Sequence, residues 1–467
     1  MELVVEKLFQ TLSLSYQVRQ MKTAILLVAL TILYATAADG ASTAFVNVNV
    51  IPMTSETVMY ARTVIVTDGR ITTIGNVDST SLPADAVVVD GTDRYLLPGL
   101  AEMHGHVPGG SAQSLSRVLS LYVANGVTTV RGMLGQPSHL ELRKRIATGK
   151  MLGPRLITSG PSLNGRSVSS PEAAIAMVEA QHAAGYDFLK IHPGLTWPEF
   201  EAIAATARRL GMPFAGHVPE DVGIRRALDA GIATVDHLDG YMPALLPVND
   251  DPLGGLGGFF GVFIADQADE TKIADIVAAT AAAGVWNVPT ESLFQHATSA
   301  ALDLDEMVDW PEMIYMPAAT VSQWHAAKRD LLDDDNYDAA TAARAVRIRQ
   351  RLITELHAAG AGLLLGSDSP QIFNVPGFAI HRELEFLVEA GLTPFEALET
   401  GTVNAAEFFG RASEFGSVTT GKVADLVLLD ANPLQDISNS RRVHGVMLNG
   451  RWLSRADIDA LLEQYER

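Results

Sequence analysis

Two histidines, His104 and His106, close the apolar run LLPGLAEMHGHV, and later apolar runs end on further groups that bind metals or move protons. These are Lys190 in FLKIH, His217 in FAGHV, His237 in TVDHL and Asp368 in LLLGSDS. Residues i and i+2 of a strand point to the same side, so His104 and His106 can reach one ion. A lysine inside an apolar strand is costly to bury unless it is paired, neutralised or modified. Asp187 is the nearest acid in sequence for a plain ion pair; a chemical modification is the alternative. The chain has 0 Cys, which excludes thiol nucleophiles and thiolate metal sites and leaves nitrogen and oxygen as ligands.

The elements that must carry these groups alternate. The first run is followed by GVTTVRGM, PRLITSG, FLKIH, PFAGHV, TVDHLDG, VWNVPT and GLLLGSDS, separated by Ala/Leu/Glu-rich stretches such as Pro171 to Ala184 and Pro198 to Leu210. Eight βα repeats predict an α/β fold, a (β/α)8 TIM barrel, whose active sites sit at the C-terminal strand ends. An open doubly wound sheet would show the same alternation. The β-rich texture of Ala44 to Val89 returns in Gly416 to Leu453, which predicts one small composite β-sandwich domain built from both termini. Expected boundaries are 41–96 with 413–467 for that domain and 97–412 for the barrel.

Two inserts interrupt the pattern. DPLGGLGGFFG lacks the Gly-Lys-Ser/Thr ending of a phosphate loop and is expected to be a loop at the barrel mouth or a surface excursion. A long stretch holding Trp310, Trp324 and the acidic run Asp333 to Asp335 precedes the eighth segment, and its acidic run is expected to be a solvated face.

From Met21 the sequence reads MKTAILLVALTILYATAADG: a lysine, an apolar run and a small-residue cleavage pattern. This predicts a secretory signal within residues 1–37, a mature start near Ala38 and export to the periplasm or medium. The apolar run is shorter than the ~20 residues of a spanning helix, so no stable membrane span is expected. A net charge of -20 repels phosphate backbones, which argues against nucleic acid as a partner. A homo-oligomer is left open.

The ordered set of HGH, a strand-borne lysine, two later histidines, an aspartate in GSD and the tail GKVADLVLLD resembles the amidohydrolase superfamily, in the branch of imidazolonepropionase-like and prolidase-like enzymes. The resemblance extends from about Ala44 to the C-terminus. It implies a (β/α)8 barrel with a composite β-sandwich and two Zn2+ ions at the mouth. His104, His106 and Asp368 would hold the buried ion and His217 and His237 the exposed one, with a carbamylated Lys190 bridging them. A hydroxide between the two ions would attack an amide carbonyl of a small-molecule substrate such as a dipeptide or N-acyl amino acid, with His237 on the polarising ion and Asp368 carrying the proton. Lactones, carbamates, cyclic amides and phosphoesters suit the same chemistry. One ion with an unmodified lysine, and a catalytically silent binding protein, are the remaining readings. His192, Tyr241 and Arg131 are expected substrate contacts, each with a packing role as its alternative. His139, His182, His325 and His357 are expected on the surface, and His381 either near the mouth or in the first turn of a helix.

Overall fold

The computed structural model describes residues 42–247 and 257–467. The proposed signal sequence and the first part of the Gly-rich insert lie outside the described residues. Fifteen strands are described. Seven of them alternate with helices as two parallel arcs. β6 (Leu100–Gly105), β7 (Val127–Gly132) and β8 (Arg155–Thr158) form one; β9 (Leu189–Ile191), β10 (Phe214–Gly216), β11 (Thr234–Asp236) and β12 (Trp286–Val288) form the other. Nearly every residue of these strands is buried, as expected where both faces are covered. The fold is therefore α/β with parallel sheets.

The eighth predicted segment departs from expectation, because GLLLGSDS forms no regular strand. Leu363 makes a single parallel bridge to Asn287. Its backbone nevertheless bonds to both sides: Leu364 N to Asn287 O at 2.9 Å, Met103 N to Leu365 O at 2.8 Å and Asp368 N to His104 O at 2.8 Å. Gly366 accounts for the irregularity, since a Cβ there would stand 2.5 Å from Val288 Cγ1 and 2.8 Å from the His104 nitrogen. The chain runs too close to its neighbours at that point for a standard pleat. Between the arcs, Asp187 N bonds to Thr158 O at 3.0 Å and Ser159 bridges Phe188 in parallel.

The remaining eight strands make one sheet drawn from both ends of the described chain. It contains β1 (Thr43–Val50), β2 (Met59–Thr67), β3 (Arg70–Asn76), β4 (Val87–Asp90), β5 (Tyr95–Pro98), β13 (Leu426–Leu429), β14 (Val443–Leu448) and β15 (Arg451–Leu453). β5 is the seam, parallel to β1 on one side and antiparallel to β13 on the other. Alternate residues such as Phe45, Val64, Leu96, Leu426 and Met447 bury a core separate from the main one. β5 runs past the expected boundary at residue 96, and a C-terminal helix Arg455–Leu462 follows β15, closed by a capping box of Ser454 and Asp457.

The outer helices are set by local signals. Pro171–Ala184 starts with Ser170 accepting from Ala173 N and stops at Gly185 with φ 83. Trp197–Leu210 opens with a capping box of Thr196 and Glu199 and stops at Gly211 with φ 67. Such caps satisfy orphan backbone groups, and left-handed glycine ends a helix without a Cβ penalty. The long insert is helical, at Leu304–Val308, Ala318–Leu332 and Ala339–Ala358, and Asp333 to Asp335 are exposed as expected.

One histidine sits elsewhere than expected: His139 is buried, with Nδ1 3.3 Å from Thr158 Oγ1. His381 takes the second of its two expected places, in the first turn of the helix Phe378–Glu389, with Nδ1 3.0 Å from Ser440 Oγ and Nε2 3.2 Å from Asn125 O. Burial, with the nearby Arg441 cation, pushes its pKa from 6.5 to about 3. The unfolded chain therefore takes up a proton on this residue near pH 6.5, and the folded chain only near pH 3. Stability from this group is complete above the first value and is lost as pH falls towards the second, by at most ~1.4 kcal/mol per unit. Between ~pH 7.5 and ~pH 5.5, the thermal midpoint of His381→Gln should fall less than that of the wild type. Equal falls would exclude His381 as a contributor.

Candidate active site

The six strand-end residues converge. His104 stands on β6 with His106 just beyond it, Lys190 on β9, and His217, His237 and Asp368 directly follow β10, β11 and the irregular eighth segment. Donor atoms of His104, His237 and Asp368 all lie within 4.8 Å of one another, so these three can close on one cation. Asp368 Oδ1 is 2.5 Å from His106 Nε2 and 3.7 Å from His104 Nε2, while Oδ2 is 3.6 Å from His237 Nδ1. The His217 and His237 rings are 4.6 Å apart, centre to centre. His104, Lys190 and His237 are buried, whereas the side chains of His106 and His217 retain 16% and 12% exposure. The cluster thus has a sealed side and a side open to a ligand.

Three imidazoles are held from behind. Asp236 Oδ2 lies 2.9 Å from His104 Nδ1, Asp239 Oδ2 3.1 Å from His217 Nδ1, and Thr290 Oγ1 2.9 Å from His237 Nδ1. For His217 and His237 the oxygen on Nδ1 fixes ring orientation and leaves Nε2 as the outward lone pair, the arrangement a metal ligand needs, whereas Asp236 meets His104 Nδ1 as a close ion-pair contact without hydrogen-bond geometry. Burial pushes His104 and His237 well below the usual histidine range, helped by Lys190 at His104 and by His104 and His217 at His237, which favours the neutral rings that carry that lone pair. Sequence reasoning missed all three supporting residues, although Asp236 and Asp239 flank His237 in the short motif DHLD.

Lys190 has its Nζ 3.4 Å from His104 Nε2. Burial lowers its pKa from 10.5 to about 8, against the pull of Asp236 and Asp368. Asp187 is not its partner: that carboxylate binds Arg143 Nη1 at 2.6 Å and the Thr158 amide at 2.8 Å. Room for the lysine stem comes from Gly216, where φ is +125 and a Cβ would meet Lys190 Cδ at 2.9 Å.

Backbone conformation around the cluster is unusual. His237, Leu238, Thr290 and Asp368 have φ values of 65, 50, 52 and 58. Left-handed backbone at a non-glycine residue costs roughly 1–3 kcal/mol and persists where surroundings over-determine it. Glu102 supplies part of that constraint: buried on β6, it accepts from Ser367 N at 2.8 Å and His104 N at 3.1 Å, tying the eighth segment to the first strand. Burial raises its carboxyl to about 8. Gln371 Nε2 donates to Asp368 Oδ1 at 2.8 Å.

The three expected substrate contacts separate. His192 joins the cluster, stacked on His217 at 4.9 Å with Nδ1 2.7 Å from Ser162 Oγ. Tyr241 does not: it is fully buried, and its hydroxyl donates to Asn287 Oδ1 at 2.8 Å and lies 3.0 Å from Thr280 Oγ1. Arg131 is likewise turned inward, its Nη2 3.2 Å from Asp236 Oδ1 and its Nη1 3.2 Å from Thr234 Oγ1. It fixes the carboxylate that faces His104 and leaves no donor for a substrate. Phe260, unnoticed in sequence, stacks on His237 at 4.7 Å and His217 at 5.9 Å. Beside it opens a cavity of about 720 Å³ lined by His217, Asp239, Phe259 and Phe260 among others.

Comparison with known proteins bears on the family and the fold. An 84-residue stretch is 38% identical to the imidazolonepropionase of Shouchella clausii, covering 16% of this chain and 19% of that protein. The adenine deaminase of Moorella thermoacetica is 21% identical over 395 residues, 82% of this chain and 52% of that protein. The chain thus spans about half or less of the length of these relatives. Among solved structures, a bottromycin amidohydrolase superposes with a TM-score of 0.70 at 24% identity, covering 94% of this chain and 93% of that one. A Xaa-Pro dipeptidase with bound methionine in its active site gives 0.65 at 18% identity, covering 89% and 100%. At these identities the structures speak to the fold alone. The amidohydrolase family model matches residues 95–453, a span that runs from β5 to β15 and takes in every residue of the histidine, lysine and aspartate cluster, and the chain accordingly belongs to the amidohydrolase family.

Proposed function

We propose that this chain is a metal-dependent hydrolase that cleaves a C–N amide bond in a small substrate such as a dipeptide or N-acyl amino acid. One observation carries the reading: ligand atoms of His104, His237 and Asp368 converge within 4.8 Å, with the His237 ring held at Nδ1 by Thr290 and Asp236 close behind His104. A buried set of neutral imidazoles and a carboxylate fits a divalent cation and has no comparable use in packing. The reading takes the two parallel arcs and the irregular segment between them as one closed (β/α)8 barrel, and the sheet drawn from both ends as a composite β-sandwich. The mature chain is taken to be exported after signal cleavage.

In this reading His104, His106 and Asp368 would hold one zinc and His217 and His237 a second, with a carbamylated Lys190 as a ligand between them; the convergence of His104, His237 and Asp368 suits a single ion on those three as the second reading. The metal supplies a nucleophilic water near neutral pH and polarises the scissile carbonyl. The chain's own residues do the rest. Asp236, Asp239 and Thr290 keep the imidazoles aimed. Asp368, held at Oδ1 by Gln371, carries a proton on Oδ2 from the attacking water to the leaving nitrogen. Phe260 and the sealed interior exclude bulk water from one side, and substrate enters from the cavity beside His217.

A substrate panel with zinc-loaded protein tests this. Turnover of at least one dipeptide or N-acyl amino acid is expected, abolished by a chelator and restored by zinc. Unchanged turnover in metal-free protein would remove the metal from the mechanism, and turnover confined to lactones, carbamates or phosphoesters would change the bond.

A further inference from the structure

Arg349 lies on the helix Ala339–Ala358, 112 residues beyond His237 in sequence, and is 2% exposed. Its three guanidinium nitrogens all donate inward. Nη1 bonds to the backbone carbonyl of His237 at 2.7 Å, Nη2 to that of Pro289 at 2.8 Å, and Nε to Glu291 Oε1 at 2.6 Å. The guanidinium sits 4.2 Å over the Phe294 ring. A charge this deep is tolerated only when every donor is matched, and here the acceptors belong to two strand ends.

Those strand ends are where the backbone turns left-handed. His237 and Leu238 follow β11, and Thr290, between Pro289 and Glu291, follows β12. Thr290 Oγ1 in turn meets His237 Nδ1 at 2.9 Å. One planar group thus grips the residue that would hold the metal and both neighbours of the residue that orients its ring. The far side is fixed too, because Glu383 accepts from the amides of Glu291 at 2.9 Å and Ser292 at 2.7 Å. A rigid fork spanning two carbonyls constrains their relative position in a way a single ammonium does not.

We infer that Arg349 is a positioning residue for the metal site: by clamping the carbonyls of His237 and Pro289 it aims the His237 imidazole and sets the affinity for the ion that imidazole holds. The inference rests on the metal-site reading above. It concerns a residue that touches neither metal nor substrate, outside the strand ends that carry the ligands.

The test is zinc titration of metal-free protein against a chromogenic chelator, with visible absorption of the cobalt-substituted protein as a second readout. His237→Ala identifies the binding step that belongs to His237. Arg349→Lys and Arg349→Met should both fold, by circular dichroism, and bind zinc at that step roughly 10- to 100-fold more weakly, the usual effect of losing a group that supports a ligand. Their cobalt spectra should shift, a change that loss of bulk stability alone does not produce. Wild-type affinity with an unchanged cobalt spectrum in folded Arg349→Lys and Arg349→Met would overturn the inference, as would failure of both variants to fold, which would make Arg349 a support of the fold. If the wild-type protein binds no divalent metal, the metal-site reading itself falls and the inference with it, an outcome separate from wild-type-like titration of the variants.

Discussion

Asp368→Asn is expected to lower kcat/KM by about 10³-fold or more, because in the proposed mechanism it removes a metal-binding charge and the proton carrier together. Asp368 Oδ1 meets His106 Nε2 at 2.5 Å and Gln371 Nε2 at 2.8 Å, and Oδ2 faces His237. Its backbone, at φ 58, is of a kind that asparagine tolerates nearly as well as aspartate. The substitution therefore leaves the turn intact while removing the charge and turning one acceptor oxygen into an NH2 donor. Steady-state kinetics with metal content measured on the same preparation checks this. A variant with full metal content and wild-type kcat/KM would remove Asp368 from the chemistry.

Lys190→Ala should have an effect of similar size with a different signature. A lysine whose pKa has fallen to about 8 has an appreciable neutral fraction near neutral pH, and only the neutral amine adds carbon dioxide to give a carbamate. On the proposed two-metal reading, the alanine protein should hold one zinc and the wild type two, with activity nearly lost. Gly216 leaves open the space beside the missing stem, so a short carboxylic acid should enter, restore the bridging oxygens and recover part of the rate. Normal activity in Lys190→Ala, or full zinc content without rescue, would show that the lysine does not bridge metals.

The residues that face the centre of the site were legible in the sequence because a strand-end polar group after an apolar run has few bland explanations. Their supports were not. Asp236, Asp239 and Thr290 look like ordinary turn residues, and only the fold shows that each stands behind an imidazole. Arg131 and Tyr241 illustrate the converse: both follow or end apolar runs, yet both point inward, and sequence does not distinguish a strand-end side chain aimed at the mouth from one aimed into the core. Arg349 was invisible because two of its three hydrogen-bond partners are backbone carbonyls, which leave no pattern in side-chain identity, and the third, Glu291, lies 58 residues away. The eighth segment read as a strand from its Leu-rich run, but the close approach at Gly366 and the left-handed turn at Asp368 are effects of its neighbours. In the small sheet, by contrast, β-branched alternation and turn residues sufficed to find most strands, because those signals are local.

The seam at β5 also has a kinetic consequence. Leu97 and Leu96 pair with Val427 and Leu428, more than three hundred residues later in the chain. At ~5–20 residues per second of synthesis, β5 leaves the ribosome tens of seconds before its second neighbour exists. For that interval the half-sheet of β1 to β5 presents an open edge to the cell, a known invitation to wrong pairing. Completion of the small sheet is therefore expected to be a late event in biogenesis, and the chain should be most vulnerable to aggregation while the region between the two halves of that sheet is still being made.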